Sequence, residues 1–260
     1  MLIRSWNLFH GNACPPRRES YLEEMVRLAT ADRPDVLVLQ EVPAWALPRL
    51  GAWSGMTAVA DIAQRPRFGP LPIPAEAGRL LTGLNPGLLR SAFAGQGNAI
   101  LLGQGLHPAE HRVLTLNDAR FRREQARTLR LDPLARLAWA KERRICQAIR
   151  TPREGAAPLI VANLHATSSP GDPRIPAAEV RRAAAFAAQL ARAGDVVVVA
   201  GDFNVEAADA ALEGFSPPGP WIDHIVVRGG EPSQIRAWPD ERRRKSGILL
   251  SDHVPIELDT

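Results

Sequence analysis

Residues 196–205, with the sequence VVVVAGDFNV, constrain the fold more than any other stretch of this chain. Consecutive β-branched valines between turn residues are typical of a strand buried on both faces. Gly201 lets the backbone turn, and Asp202 and Asn204 then point to the same side if the chain stays extended. A carboxylate and a carboxamide at the end of a buried strand are costly to desolvate without partners. The stretch therefore predicts a rim that binds a ligand or metal; the alternative is an Asx-type turn that only ends the strand.

The chain is long enough to bury a large core without disulfides. It has 260 residues, 45% hydrophobic and 23% charged, as in ordinary globular proteins. Cys14 and Cys146 show neither metal-ligand spacing nor a disulfide framework, and Cys146 is expected in the core. The net charge of +4 fits a phosphate-rich partner. The sequence shows no signal-peptide pattern and no membrane span. We therefore expect a cytoplasmic protein, unless a leader has been removed, and a monomer.

Strands and helices alternate along the sequence. A strand is expected over residues 2–8, a helix over 18–31, and a buried strand over 35–39 that leads into Gln40-Glu41. The other predicted strands span residues 97–103, 111–116, 144–150, 159–164, 221–228, 233–238 and 256–258, and a second helix spans 177–193. Residues 120–140 are compatible with helix or loop. This alternation suits a two-layer β-sandwich flanked by helices, in one domain over residues 1–260.

Two segments do not follow this alternation. Residues 58–96 are rich in proline and glycine, and we expect a long connection or a lid there, not a core strand or a long helix. Within this region, the part from 61 to 97 has no assigned role. Residues 241–245 (ERRRK) are expected to form a charged, solvated turn.

Polar side chains recur where the predicted strands end. They are Asn7, Glu41, His165, Asp202, Asn204, Asp223, Asp252 and His253. Their oxygen atoms suit Mg²⁺, Mn²⁺ or Ca²⁺ better than Zn²⁺. The two histidines, with a carboxylate to spare, suit acid–base chemistry or stabilisation of a phosphoryl oxygen. The sequence has no glycine-rich phosphate loop and no G-x-S-x-G motif, which argues against a nucleotide kinase or a serine hydrolase.

Seven short motifs occur in one order between Asn7 and Pro255: WNLFHGN, LVLQEV, GNAILL, ANLHAT, GDFN, WIDHIVV and SDHVPI. In this order they resemble the endonuclease/exonuclease/phosphatase superfamily. Its members include pancreatic-type deoxyribonucleases, apurinic-site endonucleases, neutral sphingomyelinases and inositol polyphosphate 5-phosphatases. The resemblance implies an α+β fold, a four-layer α/β/β/α sandwich. Two mostly antiparallel sheets would pack face to face, with helices on the outside.

The resemblance also implies a metal site. Glu41 of the QE motif would bind a divalent ion, with Asn7 close by and Asp252 of the SDH motif as a further ligand. The expected ion is Mg²⁺ or Mn²⁺, and Ca²⁺ is compatible with the same oxygen donors. Neither the number of ions nor their identity follows from the motifs.

Five catalytic residues are implied in the same way. Asp202 and Asn204 would orient the attacking water and hold the phosphate. His253 would contact the scissile phosphate and pair with Asp223, which would keep its ring oriented. His165 stands where the deoxyribonuclease and sphingomyelinase branches carry a histidine and the apurinic endonucleases an asparagine. This histidine therefore argues against an apurinic-site endonuclease.

Asn98 and Arg144 complete the expected site as substrate-binding residues. Arg144 follows Glu142 where the family often has an acidic residue and then an arginine. Asn98 is the second residue of the GNAILL motif, and an alternative interpretation is that it ties a loop to a strand end. His10 and His224 are interpreted as structural or supporting residues.

Three functions stay open on this evidence. The first is a metal-dependent nuclease acting on DNA, favoured by the basic balance and by arginine-rich residues 120–130 and 242–245. The second is the same chemistry on a small or lipid phosphodiester, which His165 and the lack of an aromatic stacking set both tolerate. The third is a catalytically silent binding module, against which the complete set of polar motif residues argues.

Overall fold

The computed structural model describes residues 1–84, 90–169 and 171–260. Its strands, in chain order, are β1 (Leu2–Asn7), β2 (Ala13–Cys14), β3 (Val36–Val42), β4 (Thr57–Gln64), β5 (Arg67–Phe68), β6 (Leu71–Pro72), β7 (Gln96–Leu102), β8 (Glu110–Thr115), β9 (Ile145–Arg153), β10 (Ala156–His165), β11 (Val196–Asp202), β12 (Asp223–Arg228), β13 (Arg236–Ala237), β14 (Arg244–Lys245), β15 (Ile248–Leu250) and β16 (Ile256–Asp259). Its α-helices are α1 (Leu22–Thr30), α2 (Leu50–Ser54), α3 (Ala75–Leu84), α4 (Arg90–Ala94), α5 (Ala119–Thr128), α6 (Pro133–Trp139), α7 (Arg174–Leu190) and α8 (Ala207–Ala210). Short 3₁₀ segments span Phe9–Gly11, Leu47–Arg49 and Asp240–Arg243.

The described residues group into two compact units. The first unit contains residues 1–107 and 233–260, and the second contains residues 108–232. A single domain over residues 1–260 remains a prediction from the sequence. Across the part of the chain that the structure describes, no helix combines the length and the apolar character needed to cross a membrane.

The first unit is built on a six-stranded sheet in the order β13-β16-β1-β3-β7-β4. Only the β1–β3 pair is parallel, and the other neighbouring pairs are antiparallel. Buried side chains of the sheet, among them Trp6 and Leu39, pack with Leu22, Met25 and Val26 of α1. The helical spacing of these apolar residues in the sequence is what predicts that contact face.

The second unit has a five-stranded sheet in the order β12-β11-β10-β9-β8, in which β10 and β11 form the parallel pair. Every residue of β11 is buried, as predicted for the valine run. Alanines and Val180 of α7 pack on this sheet. Gly201 has φ of 137°, and a Cβ atom there would collide with the carbonyl of Leu164 on β10. Glycine is therefore required where β11 turns against its neighbour.

The predicted class, two mostly antiparallel sheets flanked by helices, is confirmed. Cys146 is fully buried, as expected, and burial raises the pKa of its thiol. Residues 120–140 form the two helices α5 and α6. Each begins at an aspartate N-cap, Asp118 and Asp132, whose carboxylate accepts a main-chain N–H of the first turn.

The expectation of a connection or lid over residues 58–96 is wrong in part. Thr57–Gln64 is an edge strand paired with β7, and α3 and α4 follow. The prolines that suggested a loop lie between these elements and not within the edge strand. Residues 85–89 of the segment lie outside the described residues. The strand predicted over 233–238 is also shorter, since only Arg236–Ala237 is paired.

The charged turn at 241–245 is not fully solvated. Arg243 is 5% exposed, and its guanidinium donates to the carbonyl of Ser251 at 2.8 Å and to Asp240 at 2.7 Å. Arg242 stacks on the indole of Trp238, with its guanidinium carbon 3.7 Å from the ring centroid. A run of like charges in sequence therefore serves here to hold the loop before β16.

A buried arginine links β1, α1 and β16 in the first unit. Arg4 has no exposed surface, and its guanidinium donates to Glu257 at 2.8 Å and to Asp32 at 2.7 Å. Arg242 donates to Asp32 as well, at 2.7 Å. Hydrogen bonds from Arg4 hold the pKa of Asp32 at about 2, below its usual value.

We expect Asp32→Asn to destabilise the protein at neutral pH and to reduce its acid sensitivity. A carboxylate whose pKa is lowered on folding contributes stability above its unfolded pKa, and that contribution is lost as pH falls through the folded pKa of about 2. The difference in urea midpoint between wild type and Asp32→Asn should therefore shrink between about pH 4 and pH 2. The control is Asp209→Asn, at an exposed position. A difference that stays constant with pH would contradict this role.

Candidate active site

The first group of predicted site residues lies at the end of the parallel pair β1–β3. Asn7 ends β1 and is paired in register with Gln40, the residue before Glu41. Asn7 is fully buried, and its Oδ1 accepts the N–H of Phe9 at 2.9 Å. Because parallel neighbours end at the same sheet edge, the topology brings Asn7 and Glu41 together.

Glu41 sits in a distorted part of β3. The register against β7 shifts between Leu39 and Val42, opposite the position of Asn98, and Glu41 has φ of 53°. Bulges and left-handed residues of this kind redirect a side chain and are concentrated at functional sites. The carboxylate of Glu41 is 19% exposed, and its Oε2 lies 3.2 Å from Nε2 of His10. His10 thus contacts the predicted metal ligand.

The loop that carries Asp252 and His253 is anchored to β1. Ser251 Oγ donates to the carbonyl of Asn7 at 2.7 Å and accepts the N–H of His253 at 3.1 Å. The carbonyl of His253 accepts the indole N–H of Trp6 at 3.0 Å. Asp252 is exposed and His253 half-buried. The two side chains are therefore accessible on a loop whose main chain is fixed.

The second group lies at the ends of three adjacent strands in the second unit. His165 is in register with Asp202 across β10 and β11, and Asp202 is in register with Asp223 across β11 and β12. His165 Nε2 lies 3.4 Å from Oδ2 of Asp202, and carboxylate oxygens of Asp202 and Asp223 come within 4.8 Å of each other. All three side chains are at least nine-tenths buried.

Asn204 turns the chain immediately after β11. It has φ of 52°, and its N–H donates to Oδ1 of Asp202 at 3.0 Å. Its side-chain amide donates to the carbonyl of Ala166 at 3.0 Å. The Asx-type turn considered as an alternative is therefore present. It fixes the Asp202 carboxylate at the rim, so the turn and a functional role are compatible.

Arg144 is part of the same group. It is 6% exposed, and its Nη1 lies 2.9 Å from each ring nitrogen of His165. Its Nη2 donates to Glu142 at 2.7 Å, and Asn117 Oδ1 accepts its main-chain N–H at 2.9 Å. The Arg144 guanidinium is an obligate donor, so it can donate to whichever ring nitrogen of His165 carries no proton. The cation is placed where it can neutralise charge on a bound anion.

A buried carboxyl group that the sequence analysis overlooked supports this group. Glu179 of α7 is fully buried and accepts the indole N–H of Trp139 at 2.5 Å and the N–H of Thr167 at 2.6 Å. Burial raises the pKa of Glu179, although these donors and the charge of Arg144 oppose the shift. The available signal was its position within the apolar face of α7, where a carboxylate needs partners.

His224 has the structural role assigned to it from the sequence. Its Nε2 donates to the carbonyl of Val205 at 2.8 Å, and its ring packs 5.0 Å from that of Phe203. Burial lowers the pKa of His224, which keeps the ring neutral. His224 therefore stabilises the GDFN turn through its contacts with Phe203 and Val205. His10 differs from it, because His10 contacts a candidate ligand directly.

The donor atoms of the first group fit a hard divalent cation. Asn7, Glu41 and Asp252 offer amide and carboxylate oxygens, which Mg²⁺, Mn²⁺ and Ca²⁺ prefer. The Glu41 carboxylate is partly exposed on a redirected strand end, so an ion can reach it. The residues present are thus compatible with the expected cofactor.

Comparisons with known proteins give a family match and a set of similar folds. The chain matches the model of the Endonuclease/Exonuclease/phosphatase family over residues 5–253. No curated protein matches it. A functionally unknown conserved protein from Enterococcus faecalis V583 is similar over 100% of this chain and 98% of its own, with 16% identity and a TM-score of 0.69.

Two further solved structures are similar. An endonuclease/exonuclease/phosphatase from Beutenbergia cavernae DSM 12333 matches 99% of this chain and 70% of its own, with 15% identity and a TM-score of 0.65. TDP2 of D. rerio, complexed with single strand DNA product, matches 100% of this chain and 99% of its own, with 14% identity and a TM-score of 0.62. At these identities the likeness shows the fold alone.

Proposed function

Because the chain belongs to the endonuclease/exonuclease/phosphatase family, we propose that it is a divalent-metal-dependent phosphoesterase that hydrolyses phosphodiester bonds in DNA. Family membership indicates a phosphoesterase; the nuclease activity and the DNA substrate are our proposal. The observation that supports it best is the convergence of His165, Asp202 and Asp223 at adjacent strand ends beside Arg144. Carboxylate, imidazole and guanidinium groups together suit the transfer of a negatively charged phosphoryl group.

Each side chain of the second group has a distinct proposed task. Asp202, held by the N–H of Asn204, orients the attacking water and accepts its proton. Arg144 and His165 offer N–H groups to the phosphoryl oxygens, on which negative charge develops. Asn204 helps to hold the phosphate, and its side chain is fixed by the hydrogen bond from its amide nitrogen to the carbonyl of Ala166.

The first group has the task of binding the cation and the phosphate. Glu41, Asn7 and Asp252 would hold a divalent ion, Mg²⁺ or Mn²⁺ by their donor chemistry. The bound ion would supply Lewis-acid stabilisation of phosphoryl charge. His253, on its anchored loop, contacts the scissile phosphate, and Asn98 lies on the strand beside Glu41 as a substrate contact. We propose that both groups take part in one reaction.

DNA is favoured over other phosphodiesters by two facts. The chain carries a net charge of +4, and a similar fold, TDP2 of D. rerio, has been solved with a single-stranded DNA product. A second candidate substrate, a lipid phosphodiester, is favoured by one observation. Leu134 and Leu137 of α6 are 75% and 71% exposed, and exposed leucines near basic side chains, here Arg136 and the arginines of α5, are typical of contact with a lipid surface.

A substrate panel tests the proposed activity. Purified protein is incubated with plasmid, with bis-p-nitrophenyl phosphate and with sphingomyelin vesicles, each with Mg²⁺ or Mn²⁺ and with EDTA. We expect metal-dependent plasmid cleavage and diester turnover, both abolished by EDTA and restored by added metal, and both lost in His253→Ala. Turnover of sphingomyelin with intact plasmid would contradict the nuclease and support the lipid substrate. Absence of turnover with all of these substrates would contradict the proposal that the protein is a phosphoesterase.

A further inference from the structure

A groove lined by arginines lies between α5 and α6 in the second unit. Its volume is about 360 Å³, and four arginines line it: Arg122, Arg123, Arg127 and Arg136. The buried indole of Trp139 closes its floor. Among the described residues that form its wall there is no carboxylate. We call this feature the arginine groove.

The charges of the arginine groove are not neutralised within the described part of the protein. The guanidinium groups of Arg122, Arg123 and Arg127 have no hydrogen bond or ion pair to described residues, whereas Arg120 on the same helix pairs with Glu124 at 2.9 Å. Among the described residues, the side chain of Arg136 donates to the carbonyl of Leu131 alone, at 2.8 Å. The groove is therefore a concentrated positive surface without an internal counterion.

The arginine charges on α5 destabilise that helix unless an anion binds to them. Arg123 and Arg127 are one helical turn apart, where like charges repel. Basic residues early in α5 are also unfavourable next to the positive end of the helix dipole. A bound anion would relieve both effects. Guanidinium groups match phosphate oxygens in geometry as well as in charge.

The groove is connected to the candidate site through Trp139. The indole of Trp139 donates to Glu179, which also accepts the N–H of Thr167, two residues after His165. The carbonyl of Trp139 accepts the side-chain amide of Asn117, whose oxygen accepts the N–H of Arg144. One scaffold therefore carries both the groove floor and the arginine that contacts His165.

We propose that the arginine groove binds the phosphate backbone of a single-stranded nucleic acid. This inference rests on the proposed function, in which DNA is the substrate. The groove volume is at the small end of ligand pockets and fits a few phosphates of one strand, not a duplex. Trp139 is buried and cannot stack on bases, so the contact is with the backbone and independent of sequence. The exposed leucines of α6 do not line the groove.

Oligonucleotide binding tests the proposal directly. Anisotropy of fluorescein-labelled oligothymidylate is measured with full-length protein in an Asp202→Asn background, which prevents cleavage. Arg123→Ala/Arg127→Ala should weaken binding by about tenfold or more and reduce the slope of log K against log salt by about 1.4. Arg123→Lys/Arg127→Lys should weaken binding less than the alanine pair, because it keeps both charges and loses only the geometric match of guanidinium to phosphate. Arg33→Ala/Arg181→Ala removes two exposed charges elsewhere that have no ion pair among the described residues, and it should change the affinity less than twofold.

Two results would overturn the groove assignment. One is equal binding by the alanine variant and the Arg33/Arg181 control. The other is loss of binding to phosphatidylserine vesicles with oligonucleotide affinity unchanged, which would assign the groove to a membrane. Turnover of bis-p-nitrophenyl phosphate by wild-type protein reports the proposed reaction separately. If the protein turns over the diester but the groove variants bind oligonucleotide normally, only the assignment of the arginine groove is contradicted. If binding depends on the groove but the protein shows no turnover, only the proposed phosphoesterase activity is contradicted.

Discussion

Asp202→Asn is expected to lower kcat/KM for a phosphodiester by about 10²- to 10⁴-fold, the range for loss of a general acid or base. Asparagine keeps the side-chain volume and the oxygen that accepts the N–H of Asn204 at 3.0 Å. It removes the negative charge 3.4 Å from Nε2 of His165 and the acceptor for the proton of water. The fold should therefore survive while the reaction is lost.

The measurement is steady-state turnover of bis-p-nitrophenyl phosphate at saturating metal. Asp209→Asn, at an exposed position of helix α8, makes the same change of charge and should leave kcat/KM within twofold. Urea unfolding of both variants reports on the fold. Asp202→Asn with full activity would remove Asp202 from the mechanism, because no other described group has the same position beside His165.

Glu179→Ala is expected to destabilise the protein by about 2–4 kcal/mol, since it leaves the indole N–H of Trp139 and the N–H of Thr167 buried without an acceptor. It should also lower activity, because the segment after His165 that Glu179 fixes supplies the carbonyl that holds Asn204. Glu179→Gln should lower the free energy of unfolding by less, since one acceptor oxygen remains.

Urea unfolding measures this effect, and its pH dependence has a definite sign. Burial raises the pKa of Glu179, so folding favours the protonated form, and that contribution is present at low pH and lost as pH rises through the folded pKa. The advantage of glutamate over glutamine should therefore decrease with rising pH. Glu154→Ala, at an exposed position, should change stability by less than about 0.5 kcal/mol. An equally small change in Glu179→Ala would show that the buried network is unimportant.

Hydrophobic pattern was sufficient to predict the elements that form the two cores. The valines of β11 and the apolar face of α1 are local signals with one stable solution, burial against a sheet. The edge strand β4 was missed because its residues are only partly buried and proline-rich sequence follows it. The shared role of Arg242 and Arg243 was missed because their partners, Trp238 and Ser251, meet them only in the folded loop.

The site residues were predictable by type and position, but their contacts were not. Strand-end polar residues are visible in sequence, and parallel pairing then places His165 beside Asp202. The left-handed backbone of Glu41 has no sequence signature, because glutamate seldom adopts it, whereas asparagine, as at position 204, adopts it more readily. The contact of His10 with Glu41 depends on that backbone, so a histidine interpreted as structural came to lie against a candidate ligand.

The central claim is that residues far apart in sequence take part in one metal-dependent reaction. A double-variant cycle of Glu41→Gln and Asp202→Asn, measured as kcat/KM for bis-p-nitrophenyl phosphate with Mg²⁺, tests it most directly. Residues that act as a unit are strongly non-additive, so we predict a large loss in each single variant and little further loss in the double variant. The claim would be contradicted if the fold loss in kcat/KM of the double variant equalled the product of the two single losses. It would also be contradicted by a Glu41→Gln variant with wild-type turnover.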